Sequence, residues 1–275
     1  MSKFAGKLVC WSALGLCVLS GCSRSPPESA ATGSNVTSPA REIALQPDQV
    51  HFDRTGIATT VRIERRPASR LKARPDPGTQ ASPAQMLIIL DPATLADPSV
   101  PESRALIIYP AIDWSRTYTR LGRADEDPLP AFRKLLEDEP AELRIEFPPA
   151  PNHVGAHEIL RTGIRYLAFH RGRGVRYLTV YQADPLPVAD RDIVYVFHGL
   201  TDDDRYWVKL EFPLTSRVLP PSDVALAALA DYDRFVAGHA KYVGEIAGKL
   251  AASRAEDFTP RLDRLDAMIE SLSID

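Results

Sequence analysis

Between residues 164 and 212 the chain carries four β-type stretches joined by short links, and this constrains its fold more than any other feature. Residues 164–169 and 175–182 are joined by His170-Arg171-Gly172-Arg173-Gly174. Residues 193–200 and 205–212 are joined by Thr201-Asp202-Asp203-Asp204. Links of this length, carrying Gly or consecutive acids, are hairpin connections. The region therefore predicts two antiparallel hairpins. In the last strand Tyr206, Val208, Leu210 and Phe212 share one face, and Trp207, Lys209 and Glu211 share the other.

The flanking segments supply more strands and the helices that cover them. Residues 56–64 (GIATTVRIE) alternate and are β-branched, which reads as a strand; residues 65–85 read as a basic, Pro-rich loop. The apolar runs at 86–90 and 105–109 are bounded by Pro and predict buried strands. Residues 128–138 place Phe132, Leu135 and Leu136 on one helical face before Pro140 stops the helix, and residues 143–147 alternate again. From Pro221 onward apolar residues recur at spacings of three, four and seven. That predicts an amphipathic helix over 222–253, with a break expected near Gly238. A last helix follows Thr259-Pro260, with Leu262, Leu265, Met268, Ile269 and Leu272 inward. Amphipathic helices need an apolar partner, so the expectation is one α+β domain over 48–275: an antiparallel sheet of hairpins packed against the C-terminal helices.

The N-terminus reads as an address. Lys3 and Lys7 precede an apolar run from Leu8 to Leu19, which suits a signal peptide and is shorter than the ~20 residues of a membrane span. The run ends in Leu19-Ser20-Gly21-Cys22, which resembles the lipobox of bacterial lipoproteins. That resemblance implies cleavage after residue 21, acylation of Cys22 by thioether- and amide-linked chains, and anchorage to an envelope membrane. Several acyl chains hold stably where one holds marginally. Ser23, rather than Asp, after the cysteine implies the outer membrane, facing the periplasm, in a host with two membranes. Residues 22–47 are rich in Ser, Pro, Ala, Thr and Gly and read as a flexible tether.

All three cysteines, Cys10, Cys17 and Cys22, lie in this leader, so the body holds neither a disulfide nor a cysteine zinc site. Loss of residues 1–21 removes Lys3 and Lys7 and no acid, taking the formal charge from −3 to −5. Such a balance argues against a nucleic-acid partner.

Further along, Gly174-Val175-Arg176-Tyr177-Leu178-Thr179, the stretch Tyr195-Val196-Phe197-His198-Gly199-Leu200-Thr201-Asp202, and Tyr206-Trp207-Val208 resemble a family of uncharacterised bacterial lipoproteins. Members of that family read GVRFLTQ, FQGLTxDGxYYV, FPV and LP; Phe212-Pro213-Leu214, Leu219-Pro220 and the ending from Leu262 to Ser271 are similar to its later parts. The likeness spans residues 105–275 and departs at His198, where Gln is usual, and at Asp204, where a turn Gly is usual. It implies an architecture and an address but no activity. A further analogy, of fold class alone, is to the sheet-and-helix sandwich of PsbP-like proteins.

Several residue groups are candidates for chemistry. His153, His157 and Glu158 place two imidazoles one helical turn apart, a metal-pair spacing if this stretch is helical. Asp202, Asp203 and Asp204, with Asp190 and Asp192, could gather oxygens around calcium, although consecutive acids between strands are commonly solvated turn formers. His198 beside Asp202 invites a His–Asp reading, without a GxSxG elbow to supply a nucleophile. Arg62, Arg65, Arg66, Arg70, Lys72 and Arg74 form a basic cluster that could touch lipid phosphates or simply be solvated. The leading expectation is a non-catalytic interaction or accessory protein of the envelope, bound to the bilayer through Cys22 and to an envelope protein. A small-ligand or metal-ion module and a hydrolase with an unrecognised site stand as alternatives. No cofactor is expected, and Cys22 is the one residue assigned a modification.

Overall fold

The computed structural model describes residues 43–69, 82–95, 101–120, 127–144 and 156–275. The first half supplies β1 (Val50–His51), β2 (Val61–Arg66), β3 (Gln85–Leu90), β4 (Ala105–Pro110), α1 (Ala111–Arg120) and α2 (Pro128–Asp138). Four long strands follow: β5 (His157–Phe169), β6 (Gly172–Gln182), β7 (Ile193–Thr201) and β8 (Tyr206–Ser216). The remainder is α3 (Ser222–Leu226), α4 (Tyr232–Ala251), β9 (Phe258–Thr259), α5 (Leu262–Glu270) and β10 (Ser273–Ile274).

The main sheet has the order β2-β3-β4-β8-β7-β6-β5, and each neighbouring pair is antiparallel. The chain builds it as two meanders. The first, β2 to β4, ends beside the sheet centre; α1 and α2 carry the chain to the far edge; β5 to β8 then return until β8 lies against β4. Short β9 pairs antiparallel with the end of β8, and β1 pairs with β10 separately. The α+β architecture of hairpins against C-terminal helices is the one the sequence predicts.

Both faces of the sheet are covered. On one, Ile88, Leu106, Leu178, Tyr195, Phe197, Leu210 and Phe212 pack with Ile246 and Leu250 of α4 and with Leu265, Met268 and Ile269 of α5. On the other, Trp114 of α1 and Phe132 of α2 pack on Trp207. Double coverage explains why β3 is buried at all six positions and reads as an unbroken apolar run. One acid pins α5 to the sheet: Asp266 is buried and accepts from Tyr195 Oη at 3.0 Å, Arg176 Nε at 3.2 Å and Arg165 Nη1 at 3.0 Å. Burial and the Asp266 charge push the Tyr195 hydroxyl well above its ordinary range, so it stays a donor.

Several boundaries differ from expectation. The strand expected over 56–64 runs from Val61 to Arg66, so its end takes in residues expected to be loop, and the strand expected from 164 begins at His157. The first hairpin link is only His170-Arg171, with Arg171 at φ 60°, because β6 already begins at Gly172. Gly174 serves close approach rather than the turn: a Cβ there would lie 2.4 Å from Phe197 Cζ and 2.3 Å from the His198 carbonyl oxygen. The expected helix over 222–253 breaks at Asp231, not Gly238. Asp231 is extended and its carboxylate accepts from Arg234 N, so it caps the start of α4, while Gly238 lies inside the helix facing open space. Ile43 and Leu45, within the stretch expected to be tether, are 1% exposed and belong to the core. Finally, α1 was not anticipated, and residues 145–147 of the expected alternating strand lie outside the described residues.

Candidate functional site

The face of the sheet beneath α1 and α2 carries a row of polar side chains, most of them buried. Trp207, Lys209 and Glu211 project from β8, and His198 projects from β7 directly across from Lys209. Tyr177 and Tyr181 follow on β6, and Glu158 and Arg161 on β5. Lys209 and Glu211 are 6% and 3% exposed and lie 3.5 Å apart. Glu158 and Arg161 form a two-pronged pair at 2.9 and 2.7 Å, with side chains 4% and 1% exposed. The Arg161 guanidinium also lies 4.5 Å from the Tyr177 ring centroid, and Tyr181 Oη donates to Glu211 at 3.4 Å.

A β-bulge makes the Glu158–Arg161 pair. Residues three apart on a regular strand point to opposite faces. The register of β5 against β6 shifts between Glu158 and Leu160, and the extra residue brings both side chains to one side.

His198 occupies the centre of the row. Trp207 Nε1 donates to His198 Nδ1 at 3.2 Å, while the indole is stacked between Trp114 at 3.8 Å and Phe132 at 4.1 Å. Burial, then the charges of Lys209 and Arg161, hold the imidazole pKa well below its ordinary value. The ring is therefore neutral, and because Nδ1 accepts, its proton sits on Nε2. That buried N–H finds no partner among the described residues. Burial lowers the Lys209 pKa, with Glu211 opposing, and burial raises that of Glu158, with Arg161 opposing. The arrangement balances two cations against two carboxylates, and among the described residues it leaves the His198 Nε2–H to offer to a small acceptor.

The candidate His–Asp pair is not assembled. Asp202 lies in the β7–β8 turn, where its backbone N–H donates to Arg171 O, while the His198 ring is engaged by Trp207. The three turn acids also diverge. Asp203 Oδ1 accepts from Thr201 Oγ1 at 2.7 Å and from Arg205 N at 3.1 Å, and these bonds outweigh burial to hold its pKa below the ordinary carboxylate value. Asp204 sits at φ 57° and is gripped by Arg133 of α2 at 2.6 and 3.3 Å. Its left-handed backbone is the reason a Gly suits this position. Asp202 borders two clefts of about 370 and 340 Å³, each lined by both acids and arginines.

Asp190 and Asp192 precede β7, whereas residues 202–204 follow it. Nine residues of strand, roughly 30 Å, separate the two groups, so they cannot share a cation. His157 and Glu158 open a strand, not a helix, and His153 lies outside the described residues. Among the described residues no group of three or more His, Cys, Asp or Glu could hold a metal.

Of the basic cluster, Arg62 and Arg66 pair with Glu64, Arg66 also with Glu102, and Arg65 donates to Ile43 O. Arg70, Lys72 and Arg74 lie outside the described residues, as does Cys22.

The outer surface has a second feature that the periodicity did not reveal. Among the described residues eight large apolar side chains are strongly exposed, and five of them, Val218, Val224, Leu226, Tyr232 and Val236, fall between positions 218 and 236. The first half of α4 buries nothing: its first fully buried side chain is Ile246. Tyr232 and Val236, four apart, share a helical face. Phe235, His239 and Tyr242 pack on one another, with centroids 5.2 to 6.4 Å apart, and Tyr242 also packs against the core and accepts from Val188 N at 2.8 Å. No described helix is long and apolar enough to cross a membrane. Comparison with protein-family models, with curated proteins and with solved structures returns no match.

Proposed function

We propose that this chain is an envelope lipoprotein, anchored through acylated Cys22, whose folded domain is a non-catalytic interaction module. The observation that carries the interaction reading is the ledge of exposed apolar side chains at 218–236, which holds five of the eight large apolar side chains exposed among the described residues; Ile63, Ile112 and Leu186 are the other three. Exposed apolar groups gathered in one region mark contact surfaces, whereas single ones are ordinary. The address draws on Lys3, Lys7, the apolar run and Leu19-Ser20-Gly21-Cys22.

Metabolic labelling with a palmitate analogue tests the anchor. The wild-type chain takes label and matures, and Cys22→Ser does neither; equal labelling of both removes the anchor reading. Photo-crosslinking in intact cells from position 224, with position 134 on α2 as control, tests the module. An adduct from 224 alone supports it, and none from either position sinks it.

A second reading, a small-ligand module, draws on the buried Nε2–H of His198. A ligand that binds only the folded state raises the melting temperature. A shift that vanishes in His198→Gln favours this reading; a flat screen of small carboxylates, halides and phosphates counts against it.

A further inference from the structure

We propose that the buried polar row binds a small monoanion, a halide or a short carboxylate, on the His198 Nε2–H and the Lys209 ammonium. The proposal rests on the small-ligand reading above and deepens it by naming the class of ligand.

The row leaves donors without acceptors. His198 is 1% exposed, and its Nε2–H has no partner among the described residues. An ammonium carries three N–H donors. Among the described residues that of Lys209 faces one acceptor, Glu211 Oε2, at a long 3.5 Å. The carboxylates are already engaged: Glu211 accepts from Tyr181 Oη, and Glu158 accepts from Arg161 Nε and Nη2. A buried donor without an acceptor costs stability, so a site of this kind favours a ligand that only accepts.

His198 and Lys209 are direct partners across β7 and β8, so their side chains rise from one face with Cβ atoms about 5 Å apart. Trp207, on the same face of β8, occupies Nδ1, and Nε2–H therefore points away from that indole. The charges felt at the ring are those of Lys209 and Arg161, both positive. Buried donors under a positive field suit an anion, because hydrogen bonds to a charged acceptor are roughly twice as strong as neutral ones. Water fits less well: its own protons need acceptors, and both carboxylates already serve Tyr181 and Arg161. A single charge is favoured because the row is itself balanced and each further buried charge costs desolvation. Enclosure limits the size. With His198 and Lys209 1% and 6% exposed, the ligand has only a few heavy atoms.

The test is nuclear magnetic resonance on the full chain in detergent micelles, with nitrogen-15 in its histidines; His198→Gln identifies the His198 signal by its loss. Sodium formate and sodium bromide are titrated at about pH 7.5, where the depressed pKa keeps the ring neutral. Gluconate, too large to enter, holds the ionic strength constant. The expected result is a saturable shift of the His198 Nε2 resonance with each anion and competition between the two. Binding in Lys209→Met is expected to be weaker by about tenfold or more. Competition is read on the wild type, so the proposal stays testable if Lys209→Met fails to fold. Shifts that do not compete, or equal affinity in a folded Lys209→Met, overturn the site. Formamide is a neutral acceptor of formate's size; if it shifts the resonance as strongly as formate does, the anion assignment falls and the small-ligand reading stands. A resonance unmoved by all three probes means that the N–H holds water alone, and it overturns both.

Discussion

Trp207 donates its indole N–H to Nδ1 of His198 at 3.2 Å, across neighbouring strands, and that bond determines what the histidine can do. With Nδ1 occupied as an acceptor, the neutral ring must carry its proton on Nε2. His198→Leu leaves the buried indole N–H without an acceptor and costs about 1–3 kcal/mol. His198→Gln can still accept through its carbonyl oxygen and costs less. Denaturant unfolding of the two variants checks the order.

The same burial links stability to pH. The folded-state pKa of His198 is depressed well below 6.5, so below that value the unfolded chain takes up a proton that the folded chain refuses. The contribution is fully present above about pH 6.5 and declines as pH falls, by up to about 1.4 kcal/mol per pH unit. Unfolding measured from pH 7.5 to 5 is expected to show this fall in the wild type and a shallower one in His198→Gln. Parallel curves for the two proteins refute it.

Asp266 faces Arg176 within the core and Arg165 at its edge. Asp266→Ala strands a buried guanidinium and removes the acceptor of Tyr195, at a cost of about 3–5 kcal/mol. Arg165→Ala removes a side chain that is 54% exposed and costs less than about 1 kcal/mol. Amide exchange in α5 checks the location: protection there falls in the first variant and holds in the second.

Two glycines make opposite predictions. Gly174→Ala forces a methyl against Phe197 and the His198 carbonyl and destabilises by about 1–3 kcal/mol or more. Gly248→Ala, in α4 with open space around it, stabilises by about 0.5–1 kcal/mol. Thermal melts that move in the same direction contradict this account of the two sites.

Asp204 combines an unfavourable backbone with a two-pronged bond to Arg133. Asp204→Gly relieves the first and loses the second, so its net effect is expected within about 0.5 kcal/mol. In an Arg133→Ala background only the relief remains, and Asp204→Gly becomes stabilising by about 1 kcal/mol. A double-mutant cycle by denaturant unfolding measures the coupling.

Local pattern by itself determined the hairpins, the buried strands β3 and β4, helix α2 and the final helix, because alternation, apolar runs and Pro stops act within a few residues. It also placed Trp207, Lys209 and Glu211 on one face. Whether that face meets water was decided only by Trp114 and Phe132, which arrive from helices some 75 to 95 residues earlier in the chain. Helix α1 was hidden for a related reason: its inward residues Ala111, Trp114 and Ser115 pack beside β4 and β8, and ten residues give too little periodicity to read. The Glu158–Arg161 pair needed a bulge that inverts the two-residue period, and the bond from Arg133 to Asp204 joins residues 71 apart in the chain. The exposed ledge followed the same rule: an amphipathic pattern shows that a helix has an apolar side, but only tertiary packing shows where the core stops and that side meets solvent. Sequence determined the elements and their faces through neighbours a few residues apart; the fold alone decided which faces lost water, because desolvation depends on residues distant along the chain.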